Sequence, residues 1–340
     1  MRYDNSSYSR SPAARRPPLP ESQLQPSDHP VFSPVAGFMG LPASRSPDAG
    51  VPRACVVGIP FDCGTHPFRV GSRQGPDAIR EQSRLLRPFD LFRRAGVDNP
   101  SAFLRAVDLG NVVCQPGDTD YSYPRIEAAI AQVLDSGAIP ISMGGDGAVT
   151  LPQLRAVSRR HPGFVVLHID SHTDTYPIPG YNTATTFTRA AEESLLDVGA
   201  SYHVGTRGQS FMGGVIEYGR EVGYTVVPFD EFMADRGAVV ERIRAGIGDR
   251  PVYLCFDMDI FDPSCAPGVC TPEWGGLSPR EGLDLLRSLS GLNYVAFDVN
   301  TVSPPQDVQG ATAFLAATVL QECCVLAAAA VQAYPQGRPA

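Results

Sequence analysis

Residues 164–174, FVVLHIDSHTD, join an apolar run to a loop that carries two aspartates and a histidine. The run FVVLHI shows little alternation between polar and apolar residues, which is typical of a parallel strand buried on both faces. Similar runs recur along the chain and predict six further strands: ACVVGIP (54–60), AIPISM (138–143), ASYHVG (200–205), YTVVPFD (224–230), PVYLCFD (251–257) and NYVAFDV (293–299).

Amphipathic segments lie between several of these runs. Four have helical spacing and contain or end at a glycine, which favours helix C-termini: PRIEAAIAQVLDSG (124–137), TLPQLRAVSRRHPG (150–163), GAVVERIRAGIGD (237–249) and SPREGLDLLRSLSG (278–291). Strands that alternate with helices predict one doubly wound α/β domain with a mainly parallel sheet. In such a domain, ligands bind beyond the carboxyl ends of the strands.

The composition excludes several classes of function. A net charge of -8 and a pI near 5.3 argue against a nucleic acid or an anionic membrane as the main partner. All 28 basic residues are arginine, so Schiff-base and Walker-type lysine chemistry is excluded. The eight cysteines form no CxxC pair, which favours reduced thiols and a cytoplasmic location.

The two ends of the chain differ in character. Residues 1–50 are rich in Pro, Ser and Arg and predict a flexible arm, within which the aromatic patch FSPVAGFMGLP (32–42) is best suited to dock. Residues 51–340 are predicted to form the folded domain. The apolar stretch 314–334 is interrupted by Gln321 and Glu322, so we expect a buried helix and no membrane span.

Carboxylates follow two of the predicted strands. Asp170, His172 and Asp174 come directly after FVVLHI, and in an extended chain they would point the same way. Asp257 and Asp259 end the run YLCFDMD in the same manner. Four carboxylates at neighbouring strand ends would raise one another's pKa values, unless a divalent cation neutralised them. Either motif alone could instead be a solvated loop that caps the next helix, but together they favour a metal site.

These motifs resemble the ureohydrolase family of arginases and agmatinases, especially its agmatinase branch. The similarity extends from about residue 38 to the C-terminal helix, through GIPFDCGTHPFRVGSRQGPDAIREQS (58–83), MGGDGAVT (143–150), HIDSHTDTY (168–176), FTRAAEESLLD (187–197), VGTRG (204–208), FDMDIFDPSCAPGVCTPEWGGLS (256–278) and DVNTVSPPQD (298–307). The resemblance implies a three-layer α/β/α fold. It also implies a binuclear site, usually manganese and sometimes nickel, whose hydroxide attacks a guanidine carbon to release urea.

The resemblance further implies a set of metal ligands. One ion would be held by Asp170, Asp174, Asp257 and a histidine that the family carries in the motif GGDH. The second ion would be held by Asp170, His172, Asp257 and Asp259. Asp170 and Asp257 would bridge the ions and position the hydroxide, which makes them candidate catalytic residues.

Three family positions are altered in this chain. The motif here reads GGDG, so the ligand histidine falls on Gly147, and a catalytic histidine of the family falls on Thr183. The glutamate that clasps the guanidinium falls on Thr301, and a threonine cannot replace its paired charge-assisted hydrogen bonds. Because even outer hydrogen-bonding partners of a metal site are worth ~10–100-fold in affinity, we expect a weakened first site and one or two bound ions. Thr183 and Thr301 are kept as candidate substrate contacts.

A few other residues are candidates for the site. His66, in the loop THPFRVG, could act as a ligand or an acid–base group, although a position on the rim is the simpler expectation. Glu273 is the remaining acid near the predicted pocket and could replace the missing substrate anchor. His168 and His203 are expected to be hydrogen-bonded core residues, and Asp146 is expected to orient the GGDG turn.

Three functions remain open on these grounds. The favoured one is the incomplete subunit of a mixed oligomer, a trimer or hexamer in which a complete ureohydrolase paralogue supplies the missing groups. Its substrate would be a small guanidine-type molecule, with a biguanide such as metformin suspected. The alternatives are an independently active agmatinase-like enzyme for a substituted guanidine, and a binding module without chemistry.

Overall fold

The computed structural model describes residues 37–47, 51–63, 66 and 68–335. Within these residues, the chain forms eight strands: β1 (Ala54–Gly58), β2 (Val107–Asn111), β3 (Ile139–Met143), β4 (Val165–Ile169), β5 (Tyr202–Thr206), β6 (Thr225–Pro228), β7 (Val252–Asp257) and β8 (Tyr294–Asn300). They form one sheet in the order β2-β1-β3-β8-β7-β4-β5-β6, and every neighbouring pair is parallel. The predicted parallel sheet is therefore confirmed.

The strand β2 was not predicted from the sequence. Its sequence, VDLGN, has only two apolar residues, and it lies at the edge of the sheet, where its end is exposed. An edge strand needs fewer apolar residues than a central one, because only part of its surface is buried. The seven runs that were predicted correspond to the other seven strands.

Ten α-helices in the described part of the chain cover both faces of the sheet. They are α1 (Gly75–Ser83), α2 (Pro100–Phe103), α3 (Thr119–Asp135), α4 (Thr150–Arg160), α5 (Thr186–Glu192), α6 (Val215–Val222), α7 (Phe229–Ala234), α8 (Arg236–Ile247), α9 (Pro279–Ser288) and α10 (Ala311–Ala333). Helices α1, α8, α9 and α10 pack with one face of the sheet, and α3, α4 and α5 pack with the other. The molecule thus has the three-layer α/β/α arrangement that the resemblance implied.

Two helices start three or more residues before the predicted residue. α3 begins at Thr119 because the side chain of Asp118 accepts a hydrogen bond from the backbone N–H of Tyr121 (2.9 Å), which caps the helix five residues before Pro124. α10 begins at Ala311 and is apolar and long enough to cross a membrane, but 78% of its apolar window is buried inside the fold. The expected buried C-terminal helix is confirmed.

Part of the predicted N-terminal arm packs on the domain. Phe38 and Met39 are buried in the core, and the backbone N–H of Phe38 donates to the carboxylate of Asp108 (2.6 Å). Packing therefore extends N-terminal to the predicted boundary at residue 50. Residues 1–36 lie outside the described residues, so their flexibility stays a prediction.

Candidate metal centre

The sheet register brings the two acidic motifs together. β4 pairs with β7, and Ile169 lies opposite Phe256, so the next residues, Asp170 and Asp257, lie side by side at the carboxyl ends of the strands. Asp257 is the last residue of β7, and Asp259 follows in a short 3-10 helix. All four aspartates of the two motifs are buried. This is the place where ligands bind in doubly wound domains.

The side chains form two clusters that share Asp170, and Cys255 adjoins one of them beside His168 and Asp257. One ligand atom from each of His168, Asp170, Asp174 and Asp257 lies within 4.8 Å of the others, and we call this the first cluster. Asp170, His172 and Asp259 satisfy the same condition and form the second cluster. All five predicted ligands therefore meet. The role of Asp257 as a second bridge between the clusters stays a prediction, as does the role of each residue in catalysis.

The chain does not stay extended along the first motif. Strand β4 ends at Ile169, the next three residues form bends, and Asp174 has a φ of 48°. The convergence was predicted correctly, but its reason was wrong. A loop that turns, and not the alternation of an extended strand, gathers these side chains.

Burial and the charges inside the site raise the pKa values of three of the four carboxyl groups. Burial and the charge of Asp170 raise the pKa of Asp257 to about 8 and that of Asp259 to about 6. The same two causes raise the pKa of Asp174 well above its ordinary value. Asp170 is the exception to the expected rise. Burial opposes its ionisation, but His168 and His172 hold its pKa well below the usual range. Buried carboxylates that repel one another are a donor set suited to a divalent cation.

Gly147 lies beside the first cluster, as its motif predicted. A Cβ built on this glycine would lie 3.0 Å from Asp174 Oδ2 and 3.7 Å from Asp257 Oδ2, so a side chain here would enter the cluster. The same Cβ would lie 2.8 Å from Thr183 Cγ2, which fills the adjoining space. This glycine turn therefore adjoins two of the predicted metal ligands.

Asp146 orients this turn. Its carboxylate accepts hydrogen bonds from the backbone N–H groups of Cys63 (2.7 Å) and Ala148 (3.1 Å), as its expected role requires. Burial raises the pKa of Asp146 to about 7 in spite of these two bonds. The preceding residue, Gly145, must be a glycine because of close packing, since a Cβ there would lie 1.5 Å from the carbonyl oxygen of Phe61.

His168 and His203 are buried and hydrogen-bonded, with their Nδ1 atoms 2.8 Å apart. The sequence predicted that His168 is a hydrogen-bonded core residue, but it did not predict that His168 also faces the first cluster. Its other nitrogen, Nε2, faces the first cluster, 3.0 Å from Asp170 Oδ2 and 3.7 Å from Asp257 Oδ1. The signal was available, because residues i and i+2 of a strand share a face and His168 precedes Asp170 by two residues.

Hydroxyl groups hold the second cluster in place. Ser171 donates to Asp259 Oδ1 (2.9 Å), and Thr271 donates to Asp259 Oδ2 (3.2 Å). The guanidinium of Arg207 donates to the backbone carbonyl oxygens of Asp259 and Glu273, both at 2.8 Å, and ties the two loops together. These contacts were not predicted, because they join loops that are distant in sequence.

A cavity of about 440 Å³ opens onto both clusters. His66, Thr183, Glu273 and Thr301 line it, so these candidates reach the site. His66 lies on its rim, where its Nδ1 accepts a hydrogen bond from the backbone N–H of Arg69 (2.9 Å). The cavity also has an aromatic wall, which the sequence did not reveal, formed by Tyr176 stacked on Phe211 with ring centroids 5.1 Å apart and an interplanar angle of 15°.

The hydroxyl of Thr301 is already engaged. It accepts from the backbone N–H of Met258 (3.0 Å) and donates to the carbonyl oxygen of Asn300 (2.6 Å). These bonds hold a β-branched residue at a φ of 71°, a conformation that such residues rarely adopt. With its hydroxyl bound in this way, Thr301 lines the cavity, and its role as a substrate contact stays a prediction.

Comparisons with known proteins agree with this geometry. The model of the arginase family matches residues 52–326. Guanidinopropionase of Pseudomonas aeruginosa is 38% identical over 91% of this chain and 97% of its own length. Agmatinase of Photorhabdus laumondii subsp. laumondii is 36% identical over 88% of this chain and 95% of its own.

Comparison of the fold with solved structures points to the same family. The solved structure of proclavaminate amidino hydrolase from Streptomyces clavuligerus has a TM-score of 0.82 and 34% sequence identity to this chain, and the match covers 88% of this chain and 99% of the other. Together with the two acidic clusters at the strand ends, these similarities show that the chain belongs to the arginase family, a family of hydrolases that depend on a dinuclear metal centre.

Proposed function

We propose that this chain takes part in the metal-dependent hydrolysis of a guanidine-type C–N bond, with release of urea or a urea derivative. The ions would be Mn²⁺ or Ni²⁺, held by the two clusters around Asp170. Carboxylate and imidazole donors suit both metals. When bound, a divalent ion supplies a Lewis acid and a nucleophile at neutral pH.

The cavity offers groups that would bind a small planar cation. The stacked rings of Tyr176 and Phe211 present a π-face on which a guanidinium can lie. Glu273 is the one acid among the described lining residues that belongs to neither cluster, so it is the candidate partner for the cation. Its carboxylate lies against Gly208, where a Cβ would come within 2.0 Å of Glu273 Oε2.

Within this reaction, we propose the role of a catalytically incomplete subunit. The observation that carries this proposal concerns Thr301. The agmatinase branch has a glutamate at this position that binds the guanidinium, whereas the hydroxyl of Thr301 is hydrogen-bonded to backbone groups. Gly147 and Thr183 lack imidazoles as well. A complete ureohydrolase paralogue in the same oligomer would supply the missing groups.

An oligomer is supported by apolar side chains on the surface. Leu91 is 88% and Phe92 82% exposed in the isolated chain, and such residues favour burial in a subunit interface. We propose that the oligomer is a trimer or hexamer of unlike subunits and that its substrate is a biguanide. We also propose a cytoplasmic location, which the eight free cysteines support.

The test is urea release by the purified chain, alone and co-expressed with a homologous subunit that carries the GGDH motif, a histidine at the position of Thr183 and a glutamate at the position of Thr301. The substrates are agmatine, 3-guanidinopropionate, 4-guanidinobutyrate and metformin. We expect no urea above background from this chain alone. We expect the mixed oligomer to be more active than its partner alone. Full activity of this chain by itself would refute the incomplete role and leave the family chemistry intact.

Independent activity is the second candidate, because the first cluster has kept Asp174. This carboxylate is buried with its pKa raised, which is costly for a protein that has no use for it. Under this candidate, Glu273→Gln would raise the KM for a cationic guanidine more than it lowers kcat. A third possibility, a binding module without chemistry, is contradicted if saturating Mn²⁺ or Ni²⁺ stabilises the fold.

A further inference from the structure

The first cluster has lost the family histidine at Gly147, yet it contains an imidazole from another element. We propose that His168, on β4, supplies the nitrogen ligand of the first metal site through its Nε2 atom. The first site would then keep four ligands, three carboxylates and one imidazole, in spite of Gly147. The inference rests on the proposed binding of metal by these clusters.

The position of Nε2 carries the argument. The ring of His168 is fully buried, and this nitrogen has no hydrogen-bond partner of acceptable geometry among the described residues. It is nevertheless 3.0 Å from Asp170 Oδ2 and 3.7 Å from Asp257 Oδ1. With metal–ligand bonds of about 2.1 Å, neighbouring ligands on one ion lie roughly 3.0–3.4 Å apart. The 3.0 Å contact with Asp170 therefore matches ligand spacing, and the 3.7 Å contact with Asp257 lies slightly beyond it.

His203 supports the ligand role by holding the other nitrogen. The two histidines are register partners on the adjacent strands β4 and β5, and their Nδ1 atoms lie 2.8 Å apart, so one of them donates to the other. If His168 donates, its Nε2 lone pair is left free for a metal. Ligating histidines in proteins almost always use their second nitrogen as such a donor. His203 would therefore be a positioning residue.

The two carboxylate oxygens of Asp170 face different clusters, as a ligand shared by two metal sites requires. Oδ2 faces His168, whereas Oδ1 lies 3.3 Å from Nδ1 of His172 in the second cluster. One imidazole thus stands on each side of the shared carboxylate. The space beside Gly147 is meanwhile occupied by Thr183, whose methyl group would lie 2.8 Å from any Cβ at position 147. The first cluster takes its nitrogen from the strand below it instead of from this turn.

The first experiment counts coordinated imidazoles in the unmodified chain. Protein labelled with ¹⁵N-histidine is loaded with Mn²⁺ and studied by pulsed EPR, while bound metal is measured by equilibrium dialysis and elemental analysis. We expect two ions per chain and two types of coupled histidine nitrogen, one from His168 and one from His172. A single coupled nitrogen with two bound ions would overturn the assignment of His168 and leave the proposed metal dependence standing. Absence of bound metal would overturn both.

The second experiment uses variants. His168→Asn keeps a polar group near the position of Nδ1 and removes Nε2, so it should weaken one of the two Mn²⁺ binding steps at least ~10–100-fold. His172→Gln should weaken the other step, and His161→Asn, on the turn after α4, should leave both unchanged. Unchanged metal binding in folded His168→Asn would refute the proposal. If that variant does not fold, the nitrogen count in the unmodified chain decides.

Discussion

Stabilisation by metal, and its loss in Asp170→Asn, is the prediction that the structure specifies most fully. Asp170 is the one residue common to both clusters, so its replacement removes a ligand from each. Asparagine has nearly the same shape, which keeps packing changes small. The variant should therefore bind Mn²⁺ or Ni²⁺ weakly at both sites while the metal-free fold persists.

The expected rise in Tm follows from the free energy of metal binding and from the entropy of unfolding, which depends on chain length. Metal at a thousandfold excess over Kd stabilises the folded state by about 4 kcal/mol per site. Unfolding of a chain of 340 residues has an entropy of about 0.7 kcal/mol/K at about 2 cal/mol/K per residue. One occupied site should thus raise Tm by about 6 °C and two sites by about 11 °C.

The assay is calorimetric unfolding of EDTA-dialysed protein with and without metal, at one pH and one protein concentration. The unmodified chain should show the full rise in Tm, and Asp170→Asn should show almost none. Asp284→Asn removes an exposed carboxylate on α9 and should retain the full rise. An equal rise in the unmodified chain and in Asp170→Asn would refute the assignment of these clusters as metal sites.

Three further outcomes are expected. Gly145→Ala should lower the free energy of unfolding by at least about 3 kcal/mol in urea titrations, because its Cβ would lie 1.5 Å from a backbone carbonyl oxygen. Gly213→Ala is the control: a Cβ there meets open space, so the free energy of unfolding should change by less than about 0.5 kcal/mol. Burial raises the pKa of Asp146 to about 7 in the folded state, above its value in the unfolded chain. The unmodified chain should therefore lose up to about 4 kcal/mol of stability relative to Asp146→Asn as the pH rises from 4 to 7. Urea unfolding in EDTA at several pH values tests this, and a difference that does not change with pH would contradict it. Leu91→Ser should shift the chain towards smaller species in sedimentation velocity, and an unchanged distribution would exclude this patch from the interface.

The central part of the fold could be predicted because buried parallel strands leave a plain apolar signal. The same signal located the candidate metal ligands, since Asp170 and Asp257 directly follow such runs and strand ends meet at one edge of a sheet. β2 escaped prediction because an edge strand with Asp108 and Gly110 in it lacks that signal.

Contacts between distant segments could not be predicted. The pairing of His168 with His203 depends on the register of β4 against β5, and no local pattern gives that register. The bonds that occupy the hydroxyl of Thr301 depend on how the loop after β8 meets β7. Local patterns indicate which residues lie at the site, whereas the directions of their polar atoms depend on tertiary packing.

The most direct test of the account is a crystal structure of the chain grown with saturating Mn²⁺, with anomalous diffraction used to locate the ions. The account predicts two anomalous peaks on either side of Asp170, one within bonding distance of His168 Nε2 and the other of His172 Nδ1. Well-ordered strand ends without anomalous density, with the aspartates paired only to histidines or turned towards solvent, would contradict it.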